Sequence, residues 1–167
     1  MGTPFALRAL AVAGVWLGLV PGCGKTDARQ PPLVWHDLEE GEAIARRECK
    51  PALVFVHAEW SVADKMLEHD TFPARDVGVA MRGFVAIHVD ATDDEAPATR
   101  RAVNRFGVIG VPAIIAVDDF DSYPNANVGY GNSNDLVRVN MYVDAKTLAA
   151  SLRSAKAEFD RRGRCSA

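Results

Sequence analysis

At 167 residues, with 49% hydrophobic and 25% charged side chains, the chain has the composition of one ordinary globular domain with short appendages. Its formal net charge is −3, and it holds no basic cluster that would track a phosphate backbone, which argues against a nucleic-acid partner. The three cysteines, Cys23, Cys49 and Cys165, form no C-x-x-C and match no zinc-ligand spacing.

Arg8 is followed by Ala9 to Val20, an unbroken apolar or glycine run of 12 residues. A spanning helix needs about 20, so this run reads as the hydrophobic core of an export signal. It ends in Leu19-Val20-Pro21-Gly22-Cys23, which resembles a bacterial lipobox. That resemblance implies a signal peptide over residues 1–22 and a lipid anchor on Cys23. An ordinary secretory signal, with Cys23 incidental, is the alternative. Gly24 stands where an inner-membrane retention signal usually has Asp, which implies a lipoprotein of the outer membrane facing the periplasm. Residues 23–33 are polar and proline-ended, as suits a tether. With Cys23 lipidated, Cys49 and Cys165 remain as an even pair in an oxidising compartment, where a disulfide is the default expectation.

The domain is expected over residues 34–160, with residues 161–167 as a tail. Val34-Trp35 starts it. Asp37 is placed to cap a helix, with Glu40 three residues on in a capping-box arrangement, and Leu38, Ala45 and Cys49 share one helical face. Lys50-Pro51 ends that helix. Ala52 to Val56 is a continuous, branched apolar run, the pattern of a strand buried on both faces. A helix is expected from Val62 to His69, broken by Thr71-Phe72-Pro73, and a further turn or two from Asp76 to Arg82. Phe84 to Asp90 reads as a strand, Asp93 to Phe106 as a helix and Ala113 to Val117 as a strand. The stretch 118–135, rich in Asp, Asn, Gly, Tyr and Pro, reads as a long loop. Leu136 to Val143 alternates toward a last strand, and Asp144 caps a helix from Ala145 to about Arg161. Helices interleaved with strands in this order predict an α/β domain with a central mixed sheet flanked by helices on both faces.

Between the first strand run and the helix after it lies Ala58-Glu59-Trp60-Ser61-Val62-Ala63-Asp64-Lys65. It resembles the active-site turn of the thioredoxin-like superfamily, with Ser61 and Asp64 where the family carries its two redox cysteines. The resemblance extends from Val34 to Phe159: a leading helix ending in Lys50-Pro51, Thr71-Phe72 after the active-site helix, Gly110-Val111-Pro112 before a strand, and Val143-Asp144-Ala145 at the last helix. It is similar throughout to the C-terminal periplasmic domain of transmembrane thiol-disulfide reductases and to related thioredoxin-like lipoproteins.

The resemblance implies a thioredoxin-like fold but not dithiol chemistry. Exchange needs an attacking thiolate and a second thiol to resolve the mixed disulfide. Ser61 has no evident base nearby to activate it, Asp64 forms no disulfide, and Phe55 occupies the position of the family's buried acid. No catalytic residue and no cofactor is assigned. Ser61-Val62-Ala63-Asp64 reads instead as a helix cap: the serine oxygen accepts from the third helical N–H, the acid reaches back, and its charge suits the helix start. Val111-Pro112 matches the family's cis-proline loop, so Trp60, Ser61, Val111 and Pro112 are candidates for a groove binding a periplasmic protein or peptide, or else only maintain the fold. The resemblance implies a topology in which Cys49 and Cys165 are expected to meet at the pole opposite the turn and form a structural disulfide; two unpaired thiols, one buried and one on the tail, are the alternative.

Two alternatives stand beside this binding or scaffolding module. One is a thiol-disulfide oxidoreductase using Cys49, Cys165 or a partner's thiol. The other is a metal-handling protein drawing on His57, Glu59, Asp64, Glu68, His69 and Asp70, although no metal ligand set is assigned. His36 and His88 are expected to face solvent or to be satisfied locally.

Overall fold

The computed structural model of the chain describes residues 33–123 and 135–163. The signal peptide, the tether except Leu33, Cys23, Cys165 and most of the long loop lie outside them. Five strands form one mixed sheet in the order β1-β3-β2-β4-β5, with β1 at Trp35–His36, β2 at Ala52–His57, β3 at Val85–Asp90, β4 at Ala113–Val117 and β5 at Asp135–Val139. β3 runs parallel to both β1 and β2, whereas β4 is antiparallel to β2 and β5. β2 lies at the centre, and all six of its residues are buried. That explains its unbroken apolar run: a strand covered on both faces shows no alternation.

Alternation along β2 divides the core in two. Ala52, Val54 and Val56 face a cluster with Ala45, Ala102, Phe106 and Tyr123. These come from α1 (Leu38–Glu48), α4 (Pro97–Phe106) and the segment after β4. Leu53 and Phe55 face a second cluster with Leu67, Val77, Met81, Leu148 and Leu152. These belong to the helix that starts at α2 (Val62–Met66), to α3 (Arg75–Met81) and to α5 (Ala145–Arg162). Helices therefore cover both faces of the sheet, as expected.

Local chemistry sets the element ends. The Asp37 carboxylate accepts from the Glu40 N–H at 2.8 Å, and that of Asp144 accepts from the Lys146 and Thr147 N–H groups at 3.0 and 3.1 Å. Glu40, expected to close a capping box, instead lies 3.1 Å from His36. α4 begins four residues later than expected, because Pro97 is favoured at the first helical position and holds Ala96 in an extended conformation. β5 is shorter than its alternating pattern, ending at Val139 before the chain turns to the Asp144 cap. Gly41 is buried in α1, where a Cβ would come within 2.3 Å of Ile87 Cγ1. The helix can approach β3 this closely only without a side chain there.

Cys49 departs from its expected inward position. It is the left-handed C-cap of α1, at φ 51°, and it is exposed. It is disulfide-bonded, and the other two cysteines of the chain lie outside the described residues. Cys49 lines a cavity of about 480 Å³ with Arg46, Asp118, Phe120 and Phe159. Phe159 belongs to the last turns of α5, so that helix end stands beside Cys49.

Candidate functional site

β2 ends at His57, and the turn 58–61 leads into α2. The turn is anchored through its backbone N–H groups and the Trp60 indole. The Ser61 N–H donates to the Ala58 carbonyl at 3.0 Å, the Glu59 N–H to Thr92 Oγ1 at 2.9 Å and the Trp60 indole N–H to the Thr92 carbonyl at 3.2 Å. Thr92 is held in turn by the Asp90 carboxylate, which accepts its N–H at 2.8 Å. The segment after β3 thus clamps the turn. Thr92 had no part in the sequence-based site, although its hydroxyl follows β3 directly, where a strand paired with β2 must end.

Ser61 is the N-cap of α2, and its hydroxyl oxygen accepts from the Asp64 N–H at 3.3 Å. The serine half of the expected cap is present. The acid half is different: the Asp64 carboxylate passes the cap residue and accepts from the Ala58 N–H at 2.7 Å. Asp64 is only 1% exposed, and its second oxygen, Oδ1, is buried without a hydrogen-bond partner. Burial pushes its carboxyl above the ordinary range, against the opposing pull of the Ala58 and Ser61 hydrogen bonds.

The Val111–Pro112 peptide bond is cis. Ala113, the first residue of β4, pairs with Val56 in antiparallel register, which puts the cis-proline loop at the same end of the sheet as the turn after His57. Pro112 is buried and Val111 partly exposed. Apolar side chains surround this end of the molecule in the open: Trp60 is 65% exposed, Val62 71% and Ile109 69%.

α2 passes without interruption into a π-helical segment, Leu67–Thr71, rather than stopping near His69. The Phe72 N–H donates to the Leu67 carbonyl at 2.8 Å, closing the wider turn. Glu68, in this segment, brings a carboxylate oxygen to 3.8 Å from His57 Nδ1. His57 is 8% exposed and stacks on His88 with ring centroids 4.0 Å apart. His88 is thus partly exposed, and its partners are the rings of His57, Trp35 and Phe55 rather than a local hydrogen bond. Burial, and secondarily the neighbouring His57, lower its pKa. Phe55, 1% exposed, packs edge-on against Phe72 with centroids 5.0 Å apart and lies 6.0 Å from Trp35.

Of the acidic and histidine residues grouped by sequence proximity, His57, Glu59, Asp64 and Glu68 line one cavity of about 400 Å³. His69 instead pairs with Asp70 at 2.7 Å. His88 was missed, yet strand alternation carries the signal: Ala86 and His88 share the sheet face of Leu53 and Phe55.

No family model matches the chain. Its sequence is 33% identical over 110 residues to the thiol:disulfide interchange protein DsbD of Cronobacter sakazakii, an alignment that covers 66% of this chain and 17% of that protein. The chain thus spans less than a fifth of the length of such curated relatives. Among solved structures, it is similar to a thioredoxin from Thermus thermophilus, with a TM-score of 0.61 and 18% identity over 79% of this chain and 93% of that one. It is also similar to the oxidised DsbD C-terminal domain of Neisseria meningitidis, with a TM-score of 0.52 and 17% identity over 70% and 90% of the two chains.

Proposed function

The chain belongs to the thioredoxin-like superfamily and is related to thiol:disulfide interchange proteins, and from that premise we propose that it is a binding or scaffolding domain of the bacterial cell envelope without dithiol activity. One observation carries this reading. Both positions that would hold the redox thiols are committed to the helix start, Ser61 as the cap and Asp64 as the acceptor for Ala58. Neither side chain is available for attack, and exchange chemistry requires a thiolate and a resolving thiol.

What remains at this end of the fold is a surface for an extended peptide or protein segment. Trp60 and Val62 stand exposed beside the cap, and the cis Val111–Pro112 loop lies at the same end of the sheet. An aromatic and aliphatic rim of this kind favours apolar side chains of a partner. The protein is held at the periplasmic side of the outer membrane by lipid on Cys23, with the residues that follow as its tether.

The oxidoreductase reading has one observation in its favour: Cys49 is exposed and disulfide-bonded. An insulin-reduction assay separates the two readings. The binding reading expects turnover at background, with a partner peptide recovered by crosslinking from a photoreactive group at Trp60 in native membranes. Turnover that disappears in Cys49→Ser would overturn it. Mass analysis of the N-terminal peptide tests the anchor, with diacylglyceryl on Cys23 as the expected result.

A further inference from the structure

We propose that His57, Glu68 and His88 form a binding site for a borderline divalent transition metal of the zinc class, separate from the peptide surface around Trp60. In the parallel register His57 pairs with Asp90 and His88 with Phe55, so the two histidines are diagonal neighbours on one sheet face. Their rings lie 4.0 Å apart at 16°, and Glu68 reaches them from the helix above. One ligand atom from each residue lies within 4.8 Å of the other two. Two imidazoles and one carboxylate make a donor set that holds zinc while leaving a fourth position open.

Two independent features point to an ion rather than to aromatic packing alone. His57 is 8% exposed, yet its Nε2 is buried with no hydrogen-bond partner. A buried polar atom left unpaired is costly, and a metal bond at Nε2 removes that cost; Nδ1 is the ring nitrogen that stands 3.8 Å from Glu68. Glu68 also sits in the π-helical segment. Such a segment re-aims the side chains it contains, and it recurs at functional sites. The cavity lined by His57, Asp64 and Glu68 adjoins the cluster, giving the fourth position room for water or an exogenous ligand.

Zinc bonds of about 2.0–2.2 Å require the three ligand atoms to draw closer than the 4.8 Å within which they stand. The Glu68 side chain, 50% exposed, supplies most of this movement, and one imidazole turns out of the stack. Binding therefore breaks the histidine pair, which gives the site an optical and an NMR signature.

The test titrates untagged, metal-free full-length protein with zinc by calorimetry, and with cobalt as a visible-absorption probe. One ion per chain is expected, with the intense cobalt bands of a four-coordinate site. Glu68→Gln should weaken binding by at least the roughly 10–100-fold that loss of an outer-shell partner costs. His57→Phe and His88→Phe, which keep a ring for packing, should each abolish it. Absence of stoichiometric binding would overturn the proposal, as would affinity unchanged in Glu68→Gln. Because Glu68 is on the surface, that variant decides the matter even if a histidine variant does not fold.

Discussion

The Asp64 carboxylate accepts from the Ala58 N–H at 2.7 Å, so the residue in the resolving-thiol position ties the end of β2 to the first turn of α2. A cysteine there would leave that N–H without a charged acceptor. Removing the carboxylate has the same effect. Asp64→Ala should destabilise the fold by about 1–3 kcal/mol, the usual cost of a buried donor left unpaired, read from the urea midpoint at neutral pH.

The same carboxyl gives stability a pH dependence of unusual sign. Its folded pKa is raised, so the native state keeps a proton that the unfolded chain releases first. Stability from this group is present below the ordinary Asp range and is lost as pH rises through the raised value. The carboxyls of Glu42 and Asp90 are lowered and act in the opposite direction, losing their contribution on acidification. Asp64→Asn isolates the first effect: its stability relative to the unsubstituted chain should improve as pH rises through that window, then level off. A difference independent of pH would mean that Asp64 titrates as an ordinary acid.

Ser61→Ala removes the oxygen that accepts from the Asp64 N–H. The expected loss is about 1 kcal/mol, within the range for N-cap deletions, measured by thermal or urea unfolding. The double change Ser61→Cys with Asp64→Cys should raise insulin-reducing activity above that of the unsubstituted chain, because Cys at the N-cap gains the thiolate stabilisation of a helix start. Failure of a folded double variant to reduce insulin would show that more than the two thiols has been lost.

Much of this site could be read from the chain. The serine cap and the two-faced burial of β2 follow from short-range patterns, and the cis-proline position from the resemblance to the thioredoxin-like family. The partner of Asp64 could not be read, because a capping box and a longer reach to Ala58 differ only in a side-chain torsion. The π-helical segment was equally hidden, since its residues keep ordinary helical preferences and the wider turn is set by packing. Cys49 misled for another reason: helical spacing gave it the inner face, but a left-handed C-cap rotates its side chain away.

Gly41→Ala sets two terms against each other. Helix propensity favours alanine by about 1 kcal/mol, whereas a Cβ at 2.3 Å from Ile87 Cγ1 overpacks a buried contact, at a cost of about 1–3 kcal/mol. The clash should win, because Ile87 is fully buried and has little room to yield. The expected result is a lower melting temperature, and a rise would indicate that α1 moves off β3 freely.

The disulfide of Cys49 is expected to be with Cys165, because the end of α5 stands beside Cys49. Reduction should lower stability by about 2–4 kcal/mol, the usual worth of such a crosslink, and Cys165→Ser should reproduce the loss. Non-reducing peptide mapping should recover the Cys49–Cys165 peptide; a Cys23–Cys49 peptide would overturn the pairing.

Trp60 and Trp35, the two tryptophans among the described residues, occupy opposite surroundings. Trp60 is 65% exposed on the rim, while Trp35 packs against Phe72 and His88, with centroids 5.6 and 5.9 Å away. The described residues therefore carry two tryptophans with separable assignments. A peptide that covers the rim changes the emission and quencher access of Trp60 alone, while any movement of His88 registers at Trp35. Single Trp→Phe variants would resolve the two signals, so occupancy of either region can be followed without a label.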